Sequence, residues 1–159
     1  DRLLPIIAKL IHEDGLKMTL DILGVGEDLK KLKKQTRSLD LTSVVNFLGF
    51  VKQPYSYLAT ADLFVCSSRF EGYSTVVTEA TLLGLPVITT DCSGMSEILQ
   101  KTGVITANHE EALYQGLKKV LSDPRLLIEL QIKARQRGQQ LSNQDNTSPI
   151  INFFREASL

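Results

Sequence analysis

Two short apolar runs separated by one amphipathic stretch constrain this chain more than any other feature. Leu63-Phe64-Val65-Cys66 is β-branched and apolar and stops at two serines, Ser67-Ser68. Leu85 to Thr89 is a second, nearly continuous apolar run, as a strand covered on both faces should be. Between them a glycine, Gly72, interrupts the pattern, and Val76, Ala80 and Leu83 then recur at helical spacing. The order is strand, tight turn, helix, strand, so the class is α/β with a parallel sheet. Ser74 or Thr75 suits the helix cap, because a hydroxyl there can accept from an orphan N–H of the first turn. The open N–H groups and the helix dipole make that end a seat for phosphate. A carboxylate beside such a seat repels a bare phosphate. Glu71 therefore makes sense as a holder of neutral hydroxyls on a sugar joined to the phosphate. Glu79, a turn or so into the helix, reaches a second set of hydroxyls such as a ribose. The competing readings are plain: an exposed helical glutamate for Glu79, and for Glu71 a partner of the helix dipole, about 0.3–1 kcal/mol.

The resemblance rests on Glu71, seven residues, Glu79, and then Gly84-Leu85-Pro86-Val87-Ile88. This resembles the signature of the retaining glycosyltransferases of the large GT-B family numbered four. Ser68-Arg69-Phe70-Glu71-Gly72-Tyr73-Ser74 and Thr89-Thr90-Asp91-Cys92-Ser93-Gly94 are similar to members that build bacterial surface polysaccharides. The resemblance implies a Rossmann-like, doubly wound parallel sheet forming the C-terminal, donor-binding half of a GT-B fold. It implies transfer of a sugar from a nucleoside diphosphate, by family habit uridine diphosphate, to a hydroxyl of a glycan or lipid-linked acceptor. Glu71 becomes the catalytic-site carboxylate on the sugar. Gly72, Tyr73, Ser74 and Thr75 offer donors to the sugar or diphosphate, Glu79 holds the ribose, and Gly24 and Gly94 are turns near the donor. Tyr73 and Ser74 stand where phenylalanine and glycine are more frequent, and Ser93-Gly94 where two glycines are usual. No cofactor or metal is implied. Charge on the departing diphosphate is met in this family by an Arg/Lys pair and a helix N-terminus. That pair precedes the point where this sequence begins. Arg69 is a candidate for such a role, and Arg2 falls in the opening helix.

The same reading sets the expected organisation. Asp1 caps a first helix with Leu3, Leu4, Ile7, Leu10 and Ile11 on its apolar face, and Pro5 is tolerated in its first turn. A parallel sheet grows strand first, so the resemblance suggests that an edge strand and the whole N-terminal GT-B domain precede this sequence. A strand over 17–23 ends at Gly24-Val25-Gly26, half of a dinucleotide fingerprint without its third glycine, and a turn glycine with no ligand contact is an equal reading. Residues 27–39 form a lysine-rich helix whose charges read as a solvated face. A strand follows over 44–48, with Lys52, Gln53 and Tyr55 after it near the base in the family. Residues 55–61 form a short helix whose aromatic rings read as packing. After Thr89 come a strand over 103–106 and helices over 110–121 and 124–141, the last capped by Asp123-Pro124. The donor-binding domain spans 1–142, and 143–159 is a linker and terminal helix.

Composition excludes other classes. The chain of 159 residues carries 18 basic and 18 acidic residues, so nothing attracts nucleic acid in bulk. A domain of this size buries roughly 70% of its unfolded surface. The two cysteines read as free thiols, and no apolar run approaches a membrane span, so the expected compartment is the cytoplasm or the periphery of the inner membrane face. His12 and His109 lack metal-ligand spacing, and Cys92 lacks a histidine that would make it a nucleophile. Two alternatives stand beside the transferase: a sugar-nucleotide epimerase half of GT-B type, and a non-catalytic flavodoxin- or receiver-like domain. Gly24-Val25-Gly26 replaces the acidic cluster that a receiver needs.

Overall fold

The computed structural model describes residues 1–144. Among them are five strands and seven helices, and the chain divides into two compact units, the first Asp1–Pro54 and the second beginning at Tyr55.

The first unit holds α1 (Leu3–His12), β1 (Leu20–Leu23), α2 (Leu29–Ser38) and β2 (Val45–Gly49). Leu4, Ile6, Ile7, Ala8 and Leu10 are the buried residues of α1, with Leu41 and Val45 also in the core. Asp1 does not cap α1 as expected. Its carboxylate accepts from the next residue's N–H, Arg2, at 2.6 Å, and Arg2 occupies the cap position with helical backbone angles. Strand β1 is shorter than the apolar run suggests, because its parallel partner begins only at Val45: Leu20 pairs with Val45, and Leu20 N–H donates to Val44 O. Helix α2 is likewise trimmed, since Glu27 and Asp28 belong to the turn before it. Gly24 ends β1 at φ 113°, and its N–H donates to Gly49 O at 2.7 Å.

The second unit is built on a three-stranded parallel sheet, β3 (Phe64–Cys66), β4 (Val87–Thr90) and β5 (Val104–Thr106), in the order β3-β4-β5. All four residues of the central strand β4 are buried, as its apolar run requires. Helices α3 (Tyr55–Thr60), α4 (Thr75–Leu82), α5 (Met95–Leu99), α6 (Glu110–Leu121) and α7 (Pro124–Gln144) complete it. Cys66, Val77, Ala80, Leu85, Val87, Met95, Ile98 and Leu99 form one buried cluster joining sheet, α4 and α5. The ladder thus falls into one pair and one triplet of parallel strands, with helices beside them, and the chain is α/β with Rossmann-like character.

The turn from α4 to β4 shows why Gly84 is needed. Gly84 N–H donates to Thr81 O and Leu85 N–H to Ala80 O, the two bonds of a Schellman motif, with Gly84 left-handed at φ 71°. Leu85 and Pro86 are spent on this exit, so β4 starts two residues later than its apolar run. Helix α7 runs to Gln144, three residues past the expected end at Leu141, so Ser142 to Gln144 are helical rather than linker. The rest of the expected linker and terminal helix lies outside the described residues. Helix α5 was not expected at all.

Candidate functional site

The carboxyl ends of β3, β4 and β5 lie at one end of a parallel sheet, where open α/β proteins bind ligands. Three loops leave from there: residues 67–74 into α4, 91–94 into α5 and 107–109 into α6. The β3–α4 loop carries Glu71, Gly72, Tyr73 and Ser74 of the expected site residues. Ser68 Oγ donates to Glu71 Oε1 at 2.6 Å, so one carboxylate oxygen is already engaged. Gly72 and Tyr73 are exposed, and Phe70 between Arg69 and Glu71 is 91% exposed.

Gly94 closes on this loop. A Cβ built at Gly94 would stand 3.4 Å from Gly72 O and 3.7 Å from the Tyr73 ring, and Gly94 is left-handed at φ 79°. A side chain there would be strained in its own backbone, although its Cβ would make only ordinary contact with the loop that carries Glu71. The structure therefore brings Gly72, Tyr73 and Gly94 together, despite the serine at position 93. Gly24 belongs to the first unit, at the carboxyl end of β1.

Ser74 occupies the cap position of α4 with extended backbone (φ −87°, ψ 99°), as predicted, but its hydroxyl does not cap. The residue is 2% exposed, and Oγ is buried without a hydrogen-bond partner among the described residues. The first-turn N–H groups of α4 are consequently not occupied by that side chain. Thr75 is exposed at the first helical position.

Glu79 lies on the same helix, partly buried. Burial pushes its carboxyl above the ordinary value of 4.5, and a hydrogen bond from the Tyr55 hydroxyl partly offsets that rise. The Tyr55 phenol is raised in turn, first by burial and then by the neighbouring carboxylate that its proton serves. Tyr55 reads from sequence as packing; the structure gives its hydroxyl a polar partner 24 positions on. Nothing in local pattern links the two residues, since α3 and α4 meet only through the fold.

The remaining chemistry-bearing residues have structural employment. His109 Nδ1 accepts from Ala112 N–H and caps α6, and His12 Nε2 meets Leu39 O at 3.0 Å. Arg137 of α7 is buried, and its guanidinium donates to the Ile98 and Glu97 carbonyls at the end of α5. No group of three His, Cys, Asp or Glu side chains among the described residues is arranged to hold a metal ion. No helix among them is long and apolar enough to cross a membrane.

Parallel strands feeding helices, with Glu71 in the loop before α4 and Glu79 on that helix, place the expected site residues at the carboxyl end of the sheet. Residues 1–140 match the family described as glycosyl transferases group 1, and the chain belongs to that family. An uncharacterised glycosyltransferase of Methanocaldococcus jannaschii is 36% identical over 144 residues, covering 79% of this chain and 36% of that protein. The N-acetylgalactosamine-N,N'-diacetylbacillosaminyl-diphospho-undecaprenol 4-alpha-N-acetylgalactosaminyltransferase of Campylobacter jejuni is 34% identical over 124 residues, 76% of this chain and 34% of the relative. Among solved structures, Anabaena HepE in complex with UDP superposes with a TM-score of 0.75 at 23% identity, over 87% of this chain and 40% of that one. That likeness establishes the fold. The chain spans about a third of the length of the curated relatives it matches.

Proposed function

We propose that this chain is the nucleotide-sugar-binding half of a retaining glycosyltransferase, which moves a sugar from UDP to an acceptor hydroxyl in cytoplasmic glycan synthesis. One observation carries the reading: Glu71 and Glu79 flank the start of α4, and each has a neighbouring hydroxyl, Ser68 or Tyr55, that orients its carboxyl group. A carboxylate so held keeps acceptor capacity for ligand hydroxyls, which suits a sugar at Glu71 and a ribose at Glu79. Between them the backbone N–H groups of Gly72 to Thr75 face the developing charge of a diphosphate, and the α4 dipole adds to that field. The UDP complex of HepE and the sugar-transferase names of the relatives support this assignment.

In this reading residues 1–142 form the donor domain, and the acceptor and the basic pair that neutralises the diphosphate come from a preceding domain. Bond breaking leaves negative charge on the diphosphate, and the α4 amides stabilise it where it appears. Glu71 holds the sugar hydroxyls so that the anomeric carbon faces the acceptor. Acceptor positioning alone is worth about 7–11 kcal/mol in such reactions, so the chain by itself should bind donor without transferring sugar at enzymatic rates. The test is an NMR titration of the labelled chain with UDP and with GDP. Movement of the amide signals of residues 72–76 supports the site, and silence at those amides with both nucleotides rejects it.

A further inference from the structure

The loop that carries Glu71 is held by side chains from the two neighbouring strand ends. Asn108, exposed between β5 and α6, donates from Nδ2 to Arg69 O at 2.9 Å and lies 3.4 Å from Asp91 O and 3.5 Å from Cys92 Sγ. A carboxamide has two N–H donors, enough to serve both carbonyls at once. A second clasp lies beside it: Thr90 Oγ1 donates to Ser68 O at 2.6 Å, with Cys92 Sγ 3.5 Å from the same oxygen. Ser68 and Arg69 are the residues through which the chain passes on its way to Glu71. Just past Glu71, a Cβ built at Gly94, on the loop that Asn108 also grips, would stand 3.4 Å from Gly72 O.

We infer that Asn108 is a positioning residue: it ties the β3–α4, β4–α5 and β5–α6 loops together and thereby sets where Glu71 stands relative to the start of α4. The inference rests on the donor-site reading above for its functional consequence, but its structural half does not. Each carbonyl gripped is backbone, so the grip fixes main-chain position rather than a particular side chain. The diphosphate seat at α4 is anchored independently, by the helix and by buried Val77 and Ala80. Loss of the clasp therefore moves the sugar-facing carboxylate more than the nucleotide seat.

Asn108→Asp is the sharpest variant, because it keeps shape while replacing the donor with an acceptor that repels Arg69 O and Asp91 O. Asn108→Ala removes the donor without that repulsion. Amide exchange of residues 68–72 in the unliganded chain should accelerate in both variants, more in the aspartate one, while α6 exchange holds. Affinity is then measured for UDP and for the tightest binder among UDP-glucose, UDP-galactose and UDP-N-acetylglucosamine. Loss of one such hydrogen bond should weaken the UDP-sugar by about threefold to tenfold, and UDP by clearly less. Unchanged exchange at 68–72, or equal weakening of UDP and UDP-sugar, overturns the inference. If the native chain binds none of these nucleotides, the donor-site reading fails, and the exchange rates alone decide whether Asn108 orders the loop.

Discussion

Replacing Ser74 by alanine should stabilise this protein, the reverse of what serine at the start of a helix suggests. The Ser74 hydroxyl is buried, with the residue 2% exposed, and it has no partner among the described residues. Burying a hydroxyl unsatisfied costs about 1–3 kcal/mol, so deletion removes that cost. It also forfeits a few oxygen contacts at about 0.1–0.2 kcal/mol each, which leaves a net gain of about 1 kcal/mol. Alanine takes the observed extended backbone without strain. In a chain of this size about 1 kcal/mol moves the melting temperature by about 2–4 °C. A capping serine would behave oppositely, since its loss costs about 0.5–2 kcal/mol. The sign alone decides. Thermal melts and urea midpoints of the Ser74→Ala variant, compared at unchanged m-value, give it. A fall in both would refute the reasoning and show the hydroxyl bonded in solution. UDP affinity on the same variant adds a second reading. If backbone N–H groups hold the diphosphate it is unchanged, and if the hydroxyl turns to the ligand it falls although stability rises.

Three further outcomes are expected. Glu79→Gln should weaken UDP and UDP-sugar alike, whereas Glu71→Gln should spare UDP; a charged acceptor exceeds a neutral one by about 1–1.5 kcal/mol, so each loss is about tenfold by calorimetry, and equal loss of UDP affinity in both variants would mean the roles are wrong. Tyr55→Phe removes the hydrogen bond that lowers the Glu79 carboxyl, so its titration, followed by carboxyl carbon NMR, should move further above 4.5, and a downward move contradicts the pairing. The sign of the pH effect follows: a raised folded pKa gives stability that is full below the unfolded value and lost as pH rises through the folded one, whereas ribose binding to the carboxylate is lost as pH falls through it. Gly138→Ala should lower stability by about 1–3 kcal/mol and the urea midpoint with it, because its Cβ would stand 2.7 Å from Thr81 O and 2.8 Å from Leu82 O where α7 crosses α4, and an unchanged midpoint would show that this crossing yields.

How much of this was legible in the residues depended on whether the signal was local. The β3–α4–β4 unit was, because a continuous apolar run gives way to a helical pattern after Gly72 and a second apolar run follows Gly84. Helix α6 begins at Glu110 and ends at Leu121, where the pattern puts it. Helix α5 was not, since five residues make less than two turns and leave no periodicity to read. The exact start of β1 was hidden too, because pairing depends on where a partner 25 positions away begins. Site residues followed the same rule. Glu71, Gly72 and Glu79 stood out because the family resemblance picks out their positions within one strand–turn–helix unit. Tyr55 and Asn108 carry no local signal, as each acts on atoms 24 and 39 positions away. An asparagine just past the carboxyl end of a strand was the one hint available for Asn108. Ser74 shows the converse: its position was readable and the direction of its side chain was not.

The clasp on the β3–α4 loop has a consequence for how such a protein can change. It takes hold of the carbonyl oxygens of Ser68 and Arg69, which every amino acid supplies. Phe70 and Tyr73, by contrast, project outward at 91% and 64% exposure. Residues at those two positions are therefore interchangeable as far as the anchoring is concerned. A lineage, or an engineer, can rewrite the outward side chains of this loop while its path through space stays fixed.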